Sequence, residues 1–574
     1  MPENENRSIV LLCVLAVFVG IIGGVGAWVF RMLIGFFHNL LFLKQFSFHY
    51  DANIHTPTDV WGAWVILVPV VGAVGVAWLV KTFAPEAKGH GVPEVMDAVY
   101  YNEGRIRPVV VIVKSLASAL SIGSGGAIGR EGPIIQIGAT FGSMVGSWVA
   151  MPTRQRVILM AAGAGAGIAA TFNAPLGGVL FAVELLLVSV NAFSIVIVSI
   201  ATVVATYIGR LLLGAYPSFE VPALQIPDFG ISPAWGLILF IPFGLICGLA
   251  GTLFVRAIYW AEDRFDAMPG NYYSRHMLGM LIVGIMIYLM QRYAGEYYLE
   301  GVGYATILDV LTNALSDPWF LLLLFALKLV ATCLTLGSGA SGGVFSPSLY
   351  MGATLGAAFG TIVQSVFPET GIGIPVFAIA GMAAMVGSTT GAIFTAIVML
   401  AEMTGDYNTA LPTILCATTA YALRRKLSPA SIYTLKLNRR GHAVPEGMNS
   451  AFLAAKQIKD IMTRNFTALP EGDAAPDSPG IVIWTREGRI TAAERRFVDR
   501  GRPEEALTSV GAPEHYVIVT ETAGMVDVLQ KLRQNGADIA LVSTAPDAGI
   551  AEDIVGVVTV TEISNALKDA AILQ

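Results

Sequence analysis

The sequence is short of charge. Only 13% of its 574 residues are Asp, Glu, Lys or Arg and 55% are hydrophobic, whereas soluble domains carry roughly 25% charged residues. That deficit excludes a freely soluble globule. Cysteine is scarce too. Cys13, Cys247, Cys333 and Cys416 all lie in apolar runs without metal-ligand spacing, so they read as buried thiols and no metal site is expected. The seven histidines fall in no HExxH-like pattern and there is no P-loop, which counts against a membrane metalloenzyme and against ATP hydrolysis. The opening MPENENRS has neither the basic n-region nor the small-residue cleavage site of a secretory signal. A net charge of −6 argues against non-specific binding of nucleic acid.

Long apolar runs are abundant. They recur at residues 9–30, 60–80, 195–213, 237–254, 278–290 (a short one), 320–336 and 376–400, and most are long enough to cross a bilayer. The chain reads as a polytopic membrane protein. Its charge is unevenly spread: residues 451–574 hold 12 basic and 18 acidic residues, the first 450 hold 23 of each. A neutral membrane domain over 1–450 and an acidic soluble domain over 451–574 are therefore expected. Arg424–Lys426 and Lys436–Arg440 follow the last apolar run directly. By the positive-inside rule the soluble domain is cytoplasmic and the protein sits in the plasma (inner) membrane.

The chain also repeats itself. GSGGAIGREGPIIQIGATFGSMVG, from Gly123, matches GSGASGGVFSPSLYMGATLGAAFG, from Gly337, at ten of 24 positions without a gap, an offset of 214. A weaker pair, Gly163–Glu184 against Gly381–Glu402, agrees at an offset of 218. Small residues packing helices closely account for Gly142 and Gly146, but not for the shared Gly-x-x-x-Pro. Two halves, roughly 10–215 and 230–435, point to a transporter or channel with its site at the repeat interface.

Gly-x-x-x-Pro occurs at GHGVP (89–93), GREGP (129–133) and GVFSP (343–347), each followed by an apolar stretch compatible with a helix. Proline suits the first helical turn, and the glycines before it permit unusual backbone angles and close approach of a ligand. The product is a helix start whose free N–H groups and positive dipole end can bind an anion without a cationic side chain. The alternative is three tight interhelical turns at the surface. Glu131 opposes it, because an intramembrane acid is costly and marks function. Ionised, it competes with an anion for the helix start; protonated, it loses that attraction and swings away.

Taken together, these motifs resemble the CLC family of chloride channels and chloride/proton exchangers over roughly residues 10–440. GREGP matches the family motif unchanged, GVFSP fits its GxFxP pattern and GHGVPE fits its GSGIPE-like motif with one change. The resemblance implies an all-α, inverted-repeat membrane fold with broken helices, assembled as a homodimer with a pore in each subunit. It implies that Glu131 gates, that amides at Val344 and Phe345 hold a central anion and those at Arg130 and Gly132 an outer one. Tyr433, in SIYTLKL, matches the tyrosine whose hydroxyl reaches the central anion; without the family it reads as an interfacial belt tyrosine.

Two departures bear on the activity. His90, beside Gly91 in the first loop, stands where many members have serine, and an imidazole changes charge near neutral pH. Either it modulates anion binding or it turns away and leaves the work to the backbone. Leu185, directly after Glu184, stands where exchangers with an internal proton-transfer glutamate carry it, and leucine cannot relay a proton. Glu184 itself is read first as a structural acid and second as a proton-path candidate. On this basis a chloride channel is the expectation, with chloride/H+ antiport as the alternative. A membrane enzyme using Glu131 and His90, or a carrier of organic anions with a larger site, are the competing classes; the bulky Phe345 beside the anion position argues for a small ion.

After Lys456 the texture changes. Residues 515–570 read β-α-β-β-α and resemble a CBS module, with GVVTVTE carrying Glu562 where an acid can meet a nucleotide ribose. Residues 461–473 resemble the start of a first module, but 479–492 lack the expected helix, so that copy is degenerate. A role in dimerisation or trafficking is preferred to adenine-nucleotide sensing, and no cofactor besides the bound chloride is expected.

Overall fold

The computed structural model describes residues 9–58, 60–188, 190–214, 219, 234–442, 444, 446, 458–473, 480–497, 508–509, 515–544, 550–563 and 566. The expected domain boundary at 450/451 lies outside them. The chain divides into two compact units, 1–439 and 440–574.

The first half of the membrane unit runs α1 (Ile9–Phe42), α2 (Val68–Phe83), α3 (Val92–Tyr101), α4 (Val109–Gly123), α5 (Glu131–Trp148), α6 (Thr153–Phe172), α7 (Pro175–Phe181, continued by a π-helical turn over Ala182–Leu186) and α8 (Ala192–Leu213). The second half runs α9 (Phe240–Ala267), α10 (Tyr272–Ala294), α11 (Tyr304–Leu311), α12 (Pro318–Ser338), α13 (Phe345–Val366), α14 (Ile374–Thr390), α15 (Ile393–Thr404) and α16 (Ala410–Leu427), with α17 (Ile432–Arg439) after it. Among the described residues eight helical segments are long and apolar enough to cross a membrane.

The packing repeats with the sequence. α1 lies on α8 as α9 lies on α16, and α5 on α6 as α13 on α14. Glycine spacing explains the second pairing. A Cβ on Gly138 or Gly142 would overlap the carbonyl oxygens of Gly163 or Leu159 on α6; a Cβ on Gly352 or Gly356 would overlap those of Gly381 or Phe377 on α14. The backbones touch because nothing stands between them. The helices break at matching places as well: α6 ends in left-handed Asn173 (φ +57°) and α14 in left-handed Gly391 (φ +83°).

Buried polar side chains brace each half and join the two. Lys114 Nζ on α4 donates to the carbonyls of Ala87 and Gly89 at 2.9 and 2.8 Å. Lys328 Nζ on α12, 214 residues on, donates to Leu299 and Gly301 at 3.0 and 2.9 Å. Both lysines are fully buried, and each pins the loop that leads into a short helix, α3 or α11, in its own half. Glu184 accepts from the Phe394 and Thr395 N–H groups at the start of α15 at 3.2 and 2.9 Å, while Glu402 accepts from Leu176 and Gly177 at the start of α7 at 3.1 and 2.7 Å. Each acid caps the other half's broken helix, meeting orphan N–H groups and a favourable dipole end.

Two sequence expectations need correcting. The apolar run 376–400 is two helices, Gly391 turning the chain left-handed at the end of the polar stretch Gly387-Ser388-Thr389-Thr390. Helix α6, absent from the predicted spans, is almost wholly buried in protein, so its alanine and glycine content suits packing rather than lipid. Cys247, Cys333 and Cys416 are buried as expected, and Cys13 only partly so.

The second unit begins with β1 (Phe466–Pro470), β2 (Gly480–Arg486), β3 (Arg489–Phe497) and β4 (Thr508–Ser509), one sheet in that order with β1 parallel to β2 and the rest antiparallel. β5 (Tyr516–Thr520), α18 (Met525–Gln534), β6 (Ile539–Ser543) and β7 (Ile554–Thr559) follow, β5 and β6 parallel, β6 and β7 antiparallel. Ile481, Ile483, Ile539, Leu541 and Val557 form a common apolar core under both sheets. Among the described residues no helix lies between β1 and β3. The Glu562 carboxylate accepts from the Thr559 N–H at 2.8 Å and from its hydroxyl at 3.2 Å, closing the turn after β7.

Candidate functional site: a carboxylate seated among three helix starts

All three Gly-x-x-x-Pro loops come together inside the membrane unit. Gly129 and Gly343 exchange both backbone hydrogen bonds at 2.8 and 2.7 Å, and Gly89 pairs with the 340–342 segment at 2.9 and 3.2 Å. A Cβ on Gly132 would overlap the His90 carbonyl oxygen, and one on Gly91 (φ +87°) would stand 2.8 Å from the Gly132 carbonyl oxygen. Only glycine lets these backbones approach so closely. The loops feed α3, α5 and α13, and the N-cap residues Gly91, Arg130 and Val344 make no side-chain hydrogen bond to the helices they open. Their first N–H groups are therefore left for something else.

Glu131 occupies that place. It is 1% exposed, and its Oε2 accepts from the Ser346 N–H, in the first turn of α13, at 3.2 Å. Its Oε1 accepts from the Tyr304 hydroxyl at 2.8 Å and, more closely still, from the Ser346 hydroxyl. Gly129 completes the seat, since a Cβ there would overlap Oε2. The carboxylate thus sits at a helix N-terminus as an anion would. Arg130, the residue before it, turns its guanidinium over the Tyr304 and Phe172 rings at 5.1 and 5.9 Å. It also lines a cavity of about 400 Å³ with Arg31, Asp51, Arg210 and Tyr304, so an anion entering there meets three guanidinium groups.

Val344 and Phe345 open α13 and are buried, the Phe345 ring 5.9 Å from that of Phe172. His90 is buried with its ring 6.2 Å from Tyr259, whose hydroxyl donates to the Ile432 carbonyl at the start of α17. Tyr433, the next residue, is buried, and α17 packs on α3 and α14. Both Glu184 oxygens are taken up at the start of α15, and Leu185 beside it is buried. Glu562 belongs to the other unit.

Sequence reading missed Tyr304 and Ser346. Ser346 lies inside GVFSP, where it reads as an ordinary helix-start serine. Tyr304 follows a second glycine pair, Gly301-Val302-Gly303, that mirrors Gly89-His90-Gly91 at an offset of 212. That weaker echo was the available signal.

Helix starts converging on a buried carboxylate, in a broken-helix membrane repeat, are the arrangement of a membrane transporter of anions. The family model described as voltage gated chloride channel matches residues 70–425, more than half of the chain, and the chain belongs to that family. The H(+)/Cl(-) exchange transporter ClcA of Vibrio parahaemolyticus is 35% identical over 400 residues, which cover 68% of this chain and 82% of that protein. Among solved structures, a slow cyanobacterial Cl−/H+ antiporter aligns with TM-score 0.65 and 29% identity over 76% of this chain and 99% of its own. A eukaryotic CLC transporter shares the fold, with TM-score 0.63 and 18% identity, over 96% of this chain and 97% of its own.

These relatives overturn the expectation of a channel. The Vibrio relative is an exchange transporter and the cyanobacterial structure is that of an antiporter. The error lay in the weight given to Leu185. A leucine there removes one relay side chain, but it does not remove every route for a proton, since water can carry protons where a side chain does not.

Proposed function

We propose that this chain exchanges chloride for protons across the membrane, with Glu131 as both gate and proton carrier. The observation that carries the reading is the Glu131 carboxylate seated at the start of α13, on the donors an anion would use. Ionised, it fills the seat and blocks the path. Protonation removes the charge that holds it there, the neutral side chain leaves, and a chloride ion enters. Loss of the proton restores the attraction and the carboxylate displaces the anion. Each cycle therefore couples a proton to anion movement. The backbone at Gly91, Arg130, Gly132, Val344 and Phe345 and the Tyr433 hydroxyl bind the anion along the path, and His90 modulates it by its own charge.

The engagement of both Glu184 oxygens by α15 favours a capping role for that acid and a water path for the proton. The basic residues after α16 favour a cytoplasmic second unit in a plasma-membrane protein. Two copies pairing in the membrane is the assembly that the family resemblance implies. Capture of Glu562 by Thr559 favours an assembly role for the tail over nucleotide binding. The test is proton pumping: purified protein in liposomes with a chloride gradient and no initial pH gradient should acidify or alkalinise the lumen, and Glu131→Gln should abolish that while chloride still moves.

A further inference from the structure

Two hydroxyls in the second half of the chain touch the gate, and nothing in the exchange cycle above requires them. Tyr304 is 2% exposed and Ser346 fully buried. Their oxygens lie 3.1 Å apart, and both donate to the same Glu131 oxygen. Tyr304 is held in place: the Phe219 ring meets it edge-on at 5.2 Å and the Arg130 guanidinium covers its face. In the first half the corresponding positions are Val92 (offset 212) and Gly132 (offset 214), neither of which can donate from a side chain. The pair is therefore a one-sided addition to a two-sided scaffold.

We propose that the Tyr304 and Ser346 hydroxyls form a latch that holds Glu131 ionised in its seat and sets the pH and rate at which it is released. The inference rests on the exchange reading above. Hydrogen bonds to a carboxylate favour its charged form and are stronger than those between neutral groups. Protonation weakens both at once, so the latch opens with the proton. When the side chain leaves, the two hydroxyls and the Ser346 N–H still point into the seat. An arriving anion accepts from them, so no buried donor is left without a partner. Tyr304 and Ser346 are thus positioning residues for the gate, and they make the exchange of carboxylate for anion nearly even in energy.

Other groups bear on this equilibrium. Arg130 covers the Tyr304 ring, Arg31, Asp51 and Arg210 share one cavity with Tyr304, Tyr50, His55 and Glu300 share a second with it, and His90 and Tyr433 are buried at α3 and α17. The latch is therefore read against a background in which Glu131 cannot ionise.

The experiment is chloride efflux from liposomes holding the full-length protein, at matched internal and external pH from 4.5 to 8. The proteins are wild type, Tyr304→Phe, Ser346→Ala and the same two changes in a Glu131→Gln background. Losing one donor should move the pH of half-maximal rate up by about one unit and raise the rate at pH 7 several-fold. Neither change should shift the profile of Glu131→Gln, whatever response His90 leaves there. Unshifted midpoints in both single variants, a change of rate without a change of midpoint, or an equal shift without Glu131 would each overturn the latch. If Tyr304→Phe does not elute as a folded protein, Ser346→Ala decides alone. Absence of chloride flux from wild type at every pH would sink the exchange reading and the latch with it, whereas failure of the latch leaves exchange standing.

Discussion

The two halves of the membrane unit agree where the protein is built and differ where it works. Gly142 and Gly356, Lys114 and Lys328, and Glu184 and Glu402 are matched pairs that do the same job: backbone contact between helices, a pinned loop, a capped broken helix. At the helix starts the halves part company. Arg130 and Glu131 open α5, Val344 and Phe345 occupy the same register at α13, and Tyr304 and Ser346 answer Val92 and Gly132. Duplication supplied a symmetric frame, and the charge and the hydroxyls that act on it were placed on one side or the other. Symmetric residues should therefore give equal effects on stability, and asymmetric ones should change transport.

The largest effect is expected from the glycine contacts. Gly142→Val and Gly356→Val each force a side chain into a neighbouring carbonyl, at a cost above ~4 kcal/mol, and neither protein should elute from a sizing column as a single folded species. Recovery of one but not the other would break the symmetry of the frame. Next come the buried lysines. Lys114→Met and Lys328→Met leave carbonyls without their donor and should lower stability by ~3 kcal/mol each. Thermal unfolding in detergent should show matching drops. The capping acids are the smallest and the most informative pair. Glu184→Ala and Glu402→Ala should each cost ~1 kcal/mol and leave the ratio of chloride to protons unchanged. Loss of proton coupling in Glu184→Ala alone would show that this acid carries protons as well as capping α15.

Much of this was legible before any coordinates, for a local reason. A Gly-x-x-x-Pro loop fixes its own helix start, so the three glycine-rich turns, the acid Glu131 beside one of them and the repeat could be read directly from short stretches. What was not legible depends on contacts between distant stretches. Tyr304 is 173 residues from Glu131, and nothing in GVGYA says that its hydroxyl meets a carboxylate. Helix α6 escaped notice because a helix buried in protein needs small residues rather than a long apolar run. The break at Gly391 was marked in the sequence by the short polar stretch GSTTG (387–391), too brief to divide a run that is apolar on both sides. The step from Leu185 to a passive channel failed because one missing side chain does not describe a proton path that water can complete.

The central claim is that Glu131 couples chloride to protons. The most direct test is the reversal potential of the reconstituted protein under a chloride gradient, with and without an imposed pH gradient, for wild type and Glu131→Gln. Wild type should shift its reversal potential with the pH gradient, away from the chloride equilibrium value, and Glu131→Gln should sit at that value and ignore pH. A wild-type potential fixed at chloride equilibrium under both conditions would contradict the account.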